Sequence, residues 1–445
     1  MTLSISGTGK ECLTGKFTVP GDKSISHRSV MLGAMAEGTT EVDGFLTGED
    51  CLSTINCFRA LGVDIKLEGT DLTVKGTGRL SAPSDILDVG NSGTTLRLMT
   101  GLLAGQPFTC TMTGDESIQK RPMKRVVDPL TMMGAKISNV YAPVTIEGQP
   151  LKGIEYTLPV ASAQVKSAII LAGLYAEGQT VIEEPTPTRD HTEIMLRHLG
   201  ADIAKEGNRI TIRSTGQRIR PVGDALLKAQ PISVPGDISS AAFLLAAAAI
   251  LPGSHITIEG VGVNPTRTGI IYVLKRMGAD IRLNNERIRC GEPVADIEIR
   301  HAPLKGTTIG GSEIPTLIDE IPIIAAVALF AKGQTMIKDA EELRVKETDR
   351  IQVVAEEFGK FFEEENPIKT QPDGMTIQPA PNGLKGAKVS SRGDHRLAMS
   401  LSILGLAAMG ETVLSDAECA DVSFPNFYKT ILRENSSWLA TRRHK

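Results

Sequence analysis

The sequence predicts an α/β protein with two domains built from six βαβαββ-like repeats. At 445 residues the chain is too long for one small core, so two or three domains are expected. A pattern of Leu or Met, Gly, Ala or Val, a charged residue and Ile recurs at long intervals. The tetrapeptide Val-Pro-Gly-Asp occurs twice, at 19–22 and at 234–237.

Each repeat reads as a polar cap, an apolar helix, a Gly stop, a strand, a polar turn, an amphipathic helix, a second Gly stop and a strand. The pentapeptide pattern occurs at 61–65, 133–137, 199–203 and 277–281. An ordinary α/β protein also alternates helix, Gly and strand, but recurrence of one pattern four times favours internal repeats. The repeats begin, in chain order, at Ser26, Thr94, Ser162, Ser240, Asp319 and His395.

The two Val-Pro-Gly-Asp segments predict the domain boundaries. Pro-Gly pairs are typical of turns, and each stands before a helix that we expect to be capped by serine. Their equivalent positions indicate that the chain crosses between domains twice, near 20–22 and 234–237. We therefore expect an inserted domain at 23–235 and a discontinuous domain from 1–22 and 236–445, with three repeats each.

Composition excludes several classes of protein. The net charge of −4 gives no support to nucleic-acid binding. The six cysteines form neither Cys-x-x-Cys pairs nor Cys-His clusters, which predicts reduced thiols and no zinc site. The longest apolar run, 241–251, is shorter than the ~18 residues of a membrane span and predicts a buried helix. Residues 1–20 lack the apolar core of a signal peptide, so we expect a cytoplasmic protein.

Polar residues cluster where the predicted helices begin, and helix N-termini favour anions. Each cluster alone could be a capped helix with solvated charges. Together, symmetry-related helix starts in a cleft between the domains would form an electropositive pocket for a substrate with several negative charges. The clusters lie at 22–28, 91–95, 162–167 and 393–396, with further arginines at Arg121 and Arg189.

The segment Arg-Val-Lys-Glu-Thr-Asp-Arg at 344–350 combines cations with carboxylates. If it begins a helix, Lys346 and Arg350 point the same way and Glu347 stands beside them. That surface could bind a small polyanion and supply an acid–base group. The alternative is an exposed helix with ion pairs.

Two further residues could take part in chemistry. The carboxylate of Asp319 serves no purpose in binding an anion, so an acid–base role is predicted, with helix capping as the alternative. His395 follows Asp394 and could be either a structural histidine or a catalytic one.

These motifs, in this order, resemble 5-enolpyruvylshikimate-3-phosphate synthase over nearly the whole chain. The matching segments are 22–28, 90–94, 120–123, 162–164, 344–350 and 394–396. The resemblance implies two domains of the inside-out α/β type. It also implies transfer of an enolpyruvyl group from phosphoenolpyruvate to the 5-hydroxyl of shikimate 3-phosphate with release of phosphate, in a monomer that needs no metal or organic cofactor.

The resemblance implies a role for each matching residue. Asp319 would take the proton of the attacking hydroxyl. Glu347, with Lys23 as a candidate partner, would deliver and later withdraw the proton at the methylene carbon. The residues implied for shikimate 3-phosphate are Lys23, Ser24, Arg28, Ser162, Ala163, Gln164, Arg189, Asp319 and Lys346. Those implied for phosphoenolpyruvate are Lys23, Asn91, Gly93, Arg121, Gln164, Arg350, His395 and Arg396.

Two positions depart from the usual family pattern. Val422 stands where many members have a lysine that contacts phosphoenolpyruvate, and Ala163 replaces a serine. Both variants resemble a subgroup with lower sensitivity to the herbicide glyphosate. We expect Gly93, however, to leave open space where an alanine methyl could exclude that inhibitor, so resistance does not follow.

Two alternatives remain at this stage. A UDP-N-acetylglucosamine enolpyruvyl transferase would share the fold and phosphoenolpyruvate, but its loop cysteine would fall at Glu116 and its Lys-Asn pair at Lys23-Ser24. A non-catalytic anion-binding repeat protein would not need acid–base groups beside its cations.

Overall fold

A computed structural model describes residues 1–8, 12–215, 226–380 and 382–432, and the backbone of 441–443. The α-helices are, in chain order, α1 (Lys23–Met35), α2 (Glu49–Ala60), α3 (Gly93–Ala104), α4 (Glu116–Gln119), α5 (Lys124–Met132), α6 (Ala163–Gly173), α7 (His191–His198), α8 (Ile238–Ile250), α9 (Gly269–Arg276), α10 (Ile321–Ala328), α11 (Arg350–Gly359), α12 (His395–Ala407) and α13 (Phe427–Leu432). Short 3₁₀ helices lie at Gly311–Thr316, Ile318–Glu320, Glu341–Val345 and Ala417–Val422.

The strands are short and are distributed along the whole chain. They are β1 (Thr2–Thr8), β2 (Thr14–Phe17), β3 (Ala36–Asp43), β4 (Asp64–Glu68), β5 (Asp71–Thr77), β6 (Leu87–Asp88), β7 (Thr109–Thr113), β8 (Lys136–Ile137), β9 (Val144–Glu147), β10 (Leu151–Lys152), β11 (Glu155–Thr157), β12 (Ala176–Glu183), β13 (Ile203–Glu206), β14 (Arg209–Thr215), β15 (Leu227–Lys228), β16 (Ile232–Ser233), β17 (His255–Gly262), β18 (Asp280–Arg289), β19 (Glu292–Arg300), β20 (Thr308–Ile309), β21 (Thr335–Ile337), β22 (Ile368–Gln371), β23 (Gly374–Ile377), β24 (Lys388–Ser390), β25 (Met409–Ser415) and β26 (Thr441–Arg443).

The chain separates into two compact units. We call 21–235 with 288–292 the inserted unit, and 1–20, 236–287 and 293–445 the discontinuous unit. The sequence-based division placed 21–22 and 288–292 with the discontinuous domain. Backbone pairing gives the reason for the first difference, because Asp22 N donates to Pro235 O (2.8 Å) within the inserted unit.

The described strands form six sheets that share one pairing pattern. The inserted unit has sheets ordered β15-β3-β5-β4, β6-β7-β9-β8 and β10-β12-β14-β13, with β16 also beside β3 and β11 beside β12. The other sheets are ordered β18-β19-β17-β2, β20-β21-β23-β22 and β24-β25-β1-β26. In each sheet one central strand pairs parallel to one neighbour and antiparallel to the other. The prediction of six similar repeats is therefore confirmed.

The first helix of each repeat lies in the interior of its unit. Every residue of α8 is buried, which confirms the buried helix predicted from the apolar run. In the inserted unit α3 packs against α1 and α6, and in the other unit α8, α10 and α12 pack against one another. A Cβ on Gly101 would lie 2.1 Å from Ala168 O, so glycine lets α3 and α6 approach backbone to backbone. Helices inside and sheets outside are the inside-out arrangement that the resemblance implied.

Side chains cap the N-termini of the inner helices α1, α3, α6, α8 and α12, and these caps fix where polar residues emerge. The expected serine caps after the Val-Pro-Gly-Asp segments are wrong, because Asp22 accepts from Ile25 N (2.9 Å) and Asp237 from Ser239 N (2.8 Å). A short carboxylate caps as well as a hydroxyl and also suits the helix dipole.

In the part of the chain that the structure describes, no helix is both long and apolar enough to cross a membrane. The described residues contain no group of three or more His, Cys, Asp or Glu placed to hold a metal ion.

Candidate active site

Arg28 is the most deeply buried cation among the predicted binding residues of the inserted unit. It lies on α1 with 4% exposure, and Nε donates to Thr192 Oγ1 (2.7 Å). Its Nη2 donates to Ser167 Oγ (2.9 Å) and Nη1 to Ser24 O (2.8 Å). Burial lowers the pKa of Arg28, and the nearby carboxylates, Glu193 first, offset part of that effect. The structure thus joins Ser24 and Arg28 and adds two hydroxyls from α6 and α7.

Lys23, at the start of the same helix, pairs with a carboxylate that sequence reasoning missed. Its Nζ forms an ion pair with Asp50 Oδ2 on α2, and the two side chains are 20% and 9% exposed. The Asp50 carboxylate thus fixes the position of the Lys23 side chain. The partner lies on the second helix of the repeat, where no motif marked it.

A second cluster forms where α3 and α6 begin. Arg121 Nη2 donates to Asn91 Oδ1 (3.0 Å), so these two predicted residues are in contact. Gln164 Nε2 donates to Thr94 Oγ1 (3.0 Å), and Arg97 Nη1 donates to Gln164 Oε1 (2.8 Å). Arg97 was not among the predicted residues, although its place one turn after Gly93 could have indicated it.

The space beside Gly93 is not open, which corrects the expectation from sequence. A Cβ there would lie 2.8 Å from Arg97 Nη1 and 3.3 Å from Arg121 Nη1. Both contacts are the ends of flexible side chains, so an added methyl group would displace guanidinium groups rather than fill a void.

The remaining predicted residues of this unit lie at helix starts. Ser162 caps α6 and accepts from Val165 N (3.4 Å), and Ala163 and Gln164 form the first turn. Arg189 is half-buried and stands just before α7. The free N–H groups at these helix starts suit phosphate or carboxylate oxygens.

In the discontinuous unit, Arg350 brings three carboxylates together. Nε donates to Asp394 Oδ2 (2.8 Å), Nη2 to Glu347 Oε2 (2.6 Å) and Nη1 to Asp319 Oδ1 (3.4 Å). Arg350 is 1% exposed, Asp394 is fully buried, and Asp319 and Glu347 are 16% and 24% exposed. Burial alone would lower the pKa of Arg350, but the Asp394, Glu347 and Asp319 carboxylates outweigh it and raise that pKa.

The segment 344–350 is not one helix. A 3₁₀ helix ends at Val345 and α11 begins at Arg350, so Lys346 and Glu347 lie on the irregular stretch between them. Arg344 donates hydrogen bonds to two backbone carbonyls, Pro372 O (2.7 Å) and Gln371 O (2.6 Å). Burial lowers the pKa of Lys346, and the Asp319 carboxylate opposes that shift.

Asp319 does not cap a helix. The N-cap of α10 is Glu320, without a side-chain capping bond, and the carboxylate of Asp319 bonds Arg350 instead. Glu320 is fully buried, accepts from Ser239 Oγ and lies 3.8 Å from Arg396 Nη1. The carboxylates of Asp319 and Glu320, although adjacent in sequence, therefore contact different arginines.

Three other positions complete the comparison with the sequence. His395 and Arg396 form the first turn of α12 and are 5% and 8% exposed. Asp394 caps that helix by accepting from Arg396 N (2.9 Å) while it also holds Arg350. Val422 ends a 3₁₀ helix and is half-buried.

The chemistry available differs between these groups of residues. The inserted unit offers cations and helix N-termini, which bind anions. The discontinuous unit offers two partly exposed carboxylates on one guanidinium, which can exchange protons with a ligand.

Comparison with known proteins gives one consistent family. A family model described as EPSP synthase (3-phosphoshikimate 1-carboxyvinyltransferase) matches residues 8–431. A 3-phosphoshikimate 1-carboxyvinyltransferase of Thermoanaerobacter sp. (strain X514) is 54% identical over 429 residues, which cover 95% of this chain and 97% of that protein.

Solved structures agree with this family. An EPSP synthase from Acinetobacter baumannii is 46% identical, with a TM-score of 0.86, and the match covers 99% of this chain and 100% of that one. The enolpyruvyl transferase NikO from Streptomyces tendae is 19% identical, with a TM-score of 0.77 over 100% of this chain and 99% of its own, and is similar in fold alone.

Proposed function

Because this chain belongs to the EPSP synthase (3-phosphoshikimate 1-carboxyvinyltransferase) family, we propose that it transfers the enolpyruvyl group of phosphoenolpyruvate to the 5-hydroxyl of shikimate 3-phosphate. Phosphate is released in the same reaction. The observation that carries the chemistry is the Arg350 cluster, in which one buried guanidinium bonds the partly exposed carboxylates of Asp319 and Glu347. An anion-binding protein without catalysis has no use for such carboxylates.

The cations and helix N-termini of the site would bind the phosphate and carboxylate groups of the two substrates. Shikimate 3-phosphate would bind Lys23, Ser24, Arg28, Ser162, Ala163, Gln164, Arg189, Asp319 and Lys346. Phosphoenolpyruvate would bind Lys23, Asn91, Gly93, Arg121, Gln164, Arg350, His395 and Arg396. In support, the hydrogen bonds of Arg28 go to neutral groups, so a phosphate group need not displace a carboxylate from its guanidinium.

The addition step forms one C–O bond and moves two protons. Asp319 takes the proton of the 5-hydroxyl as its oxygen attacks C2 of phosphoenolpyruvate. A proton goes to the methylene carbon, which becomes a methyl group, and the product is a tetrahedral intermediate. Glu347 in its protonated form or the Lys23 ammonium can supply that proton.

The elimination step breaks the C–O bond to phosphate and restores the double bond. A base removes one proton from the methyl group as phosphate leaves. Glu347 is held by Arg350 Nη2 (2.6 Å) and would withdraw this proton. Fixed cations that stabilise the departing phosphate contribute the most, about 10²- to 10³-fold in rate for each donor.

The test is phosphate release from phosphoenolpyruvate, measured with and without shikimate 3-phosphate. In the wild type, release should require shikimate 3-phosphate, and in Glu347→Gln it should fall by about 10²-fold or more. Glu341→Gln, an exposed position on the preceding 3₁₀ helix, is the matched control and should retain full activity.

Two results would contradict the proposal. Release that depends on UDP-N-acetylglucosamine would favour the sister transferase. If no phosphate were released with either acceptor, the proposal of a transferase would be wrong.

We also propose that the two units act as separate domains of a monomeric cytoplasmic enzyme. All six cysteines are free thiols, which suits a reducing compartment. Light scattering at several protein concentrations would show a constant mass of one chain if the protein is a monomer.

A further inference from the structure

The hairpin formed by β18 and β19 extends from a sheet of the discontinuous unit, but its tip, 288–292, groups with the inserted unit. At this tip Cys290 Sγ accepts from Ser233 N (3.4 Å). Gly291 has φ +85, and a Cβ there would lie 2.8 Å from Ile194 Cγ2 on α7. Glycine is therefore needed both for the backbone conformation and for the close approach to α7.

Glu292, the next residue of the tip, forms a buried pair with the first residue of α7. Its Oε1 lies 2.7 Å from His191 Nδ1, and the two side chains are 4% and 2% exposed. Glu298 on the same strand pairs with His255 of β17 at 2.9 Å, but His255 is 49% exposed. The strand thus offers a buried pair and an exposed pair of the same chemical kind.

The first turn of α7 connects this pair to the predicted binding residues. His191, Thr192 and Glu193 are all buried, and each has a different partner. His191 bonds Glu292, Thr192 Oγ1 accepts from Arg28 Nε, and Glu193 Oε1 lies 2.8 Å from Lys166 Nζ. A shift of this turn would move Thr192 against Arg28.

Electrostatics also connects the tip with Arg28. Burial lowers the pKa of Arg28, whereas the carboxylates of Glu193, Asp22 and Glu292 act to raise it. The Glu292 carboxylate thus favours the charged form of Arg28 through electrostatics.

We propose that Glu292 is a positioning residue for shikimate 3-phosphate, acting through the first turn of α7. The hairpin tip holds His191, which fixes Thr192 beside Arg28 and orders the turn that carries Arg189. The proposal rests on the proposed function. Glu292 lies outside the sequence motifs and 101 positions from His191. It would contribute to the affinity for shikimate 3-phosphate and not to that for phosphoenolpyruvate.

The experiment uses the full chain and measures the Kd of shikimate 3-phosphate by calorimetry, together with KM for both substrates and kcat. Glu292→Ala should weaken shikimate 3-phosphate about tenfold, since a buried hydrogen-bonding group loses its partner. KM for phosphoenolpyruvate and kcat should change less than about twofold. Glu292→Gln keeps an oxygen that can accept from His191 and should recover most of the affinity, whereas Glu298→Ala should match the wild type.

A second variant tests the same contact without changing charge. Gly291→Ala should push the tip away from Ile194 and also weaken shikimate 3-phosphate selectively. The proposal is overturned if Glu292→Ala leaves the Kd unchanged. It is also overturned if Glu292→Ala or Gly291→Ala impairs both substrates equally in proportion to a fall in Tm. If the wild type itself binds no shikimate 3-phosphate, the proposed function fails rather than this assignment.

Discussion

The buried arginines of the two units are stabilised in opposite ways. Arg28 in the inserted unit donates to two hydroxyls and one backbone carbonyl. Arg350 in the discontinuous unit donates to three carboxylates. Each guanidinium is almost fully buried, at 4% and 1% exposure, so the difference lies in the partners and not in the burial.

This difference indicates a division of labour. A guanidinium that is hydrogen-bonded to neutral groups is only partly offset by carboxylates farther away, so its electrostatic attraction is available to an incoming phosphate. The charge of a guanidinium with carboxylate partners is largely offset, so Arg350 orients those carboxylates in addition to its proposed contact with phosphoenolpyruvate. The inserted unit therefore fits substrate binding, and the Arg350 cluster fits proton transfer.

The largest effect is expected for Arg350→Met. This change leaves the fully buried Asp394 without its cation, which should lower the free energy of unfolding by about 3–5 kcal/mol. Turnover should fall by at least about 10³-fold, because Asp319 and Glu347 lose their common anchor as well as one stabilising donor. Urea unfolding and phosphate release measure the two effects.

Arg344→Met in the same segment is the matched control. Its carboxylate partner Asp349 is 37% exposed, so the loss in stability should be much smaller. Equal losses in the two variants would contradict the distinction between the two arginines.

A smaller loss of stability is expected for Arg28→Met. Ser167 Oγ and Thr192 Oγ1 lie 2.7 Å apart and can bond each other, so no buried ion is left behind. Affinity for shikimate 3-phosphate should fall about 100-fold, since a charge-assisted phosphate contact is lost, while stability should change by less than about 2 kcal/mol. Calorimetry measures the affinity and urea unfolding measures the stability. Arg59→Met, which also loses hydrogen bonds to a neutral group, Ile65 O, is the control and should leave the affinity unchanged. If Arg28→Met lost as much stability as Arg350→Met, the proposed difference between the two buried arginines would be wrong.

The smallest effect concerns pH. His27 on α1 is buried, and burial, aided by Lys23 and Arg28, lowers its pKa from 6.5 to about 3. The unfolded chain therefore binds a proton near pH 6.5 that the folded chain does not bind until about pH 3. Stability should fall as the pH decreases between these values, by up to about 1.4 kcal/mol per pH unit.

The variant His27→Asn removes this titration and keeps a polar group near Thr54. Its loss of stability between pH 7 and pH 5, measured by urea unfolding, should be smaller than that of the wild type. His255→Asn, at an exposed histidine of the discontinuous unit, should behave like the wild type. An unchanged pH dependence in His27→Asn would show that this residue does not make the inserted unit sensitive to acid.

The sequence by itself determined the repeats, the inside-out fold class through the family motifs, and the helix starts that carry the predicted residues. These features depend on neighbours in the chain. A cap joins residues about three positions apart, as Asp22 and Ile25 do, and a Gly stop acts at its own position. Where the predicted cap was wrong, the actual cap was another residue of the same segment, since an aspartate caps the helix in place of the expected serine.

Only the tertiary structure decided which partners the buried cations find. Arg28 meets Thr192 across 164 positions, and Arg350 meets Asp394 across 44. Asp50 and Glu292 stand in no motif that pointed to their partners, and the space beside Gly93 is taken by Arg97 of the same helix and by Arg121 from a later segment. Such contacts arise when helices and strands that are distant in the sequence pack together, because packing sets the distance between residues that have no local relation in the chain.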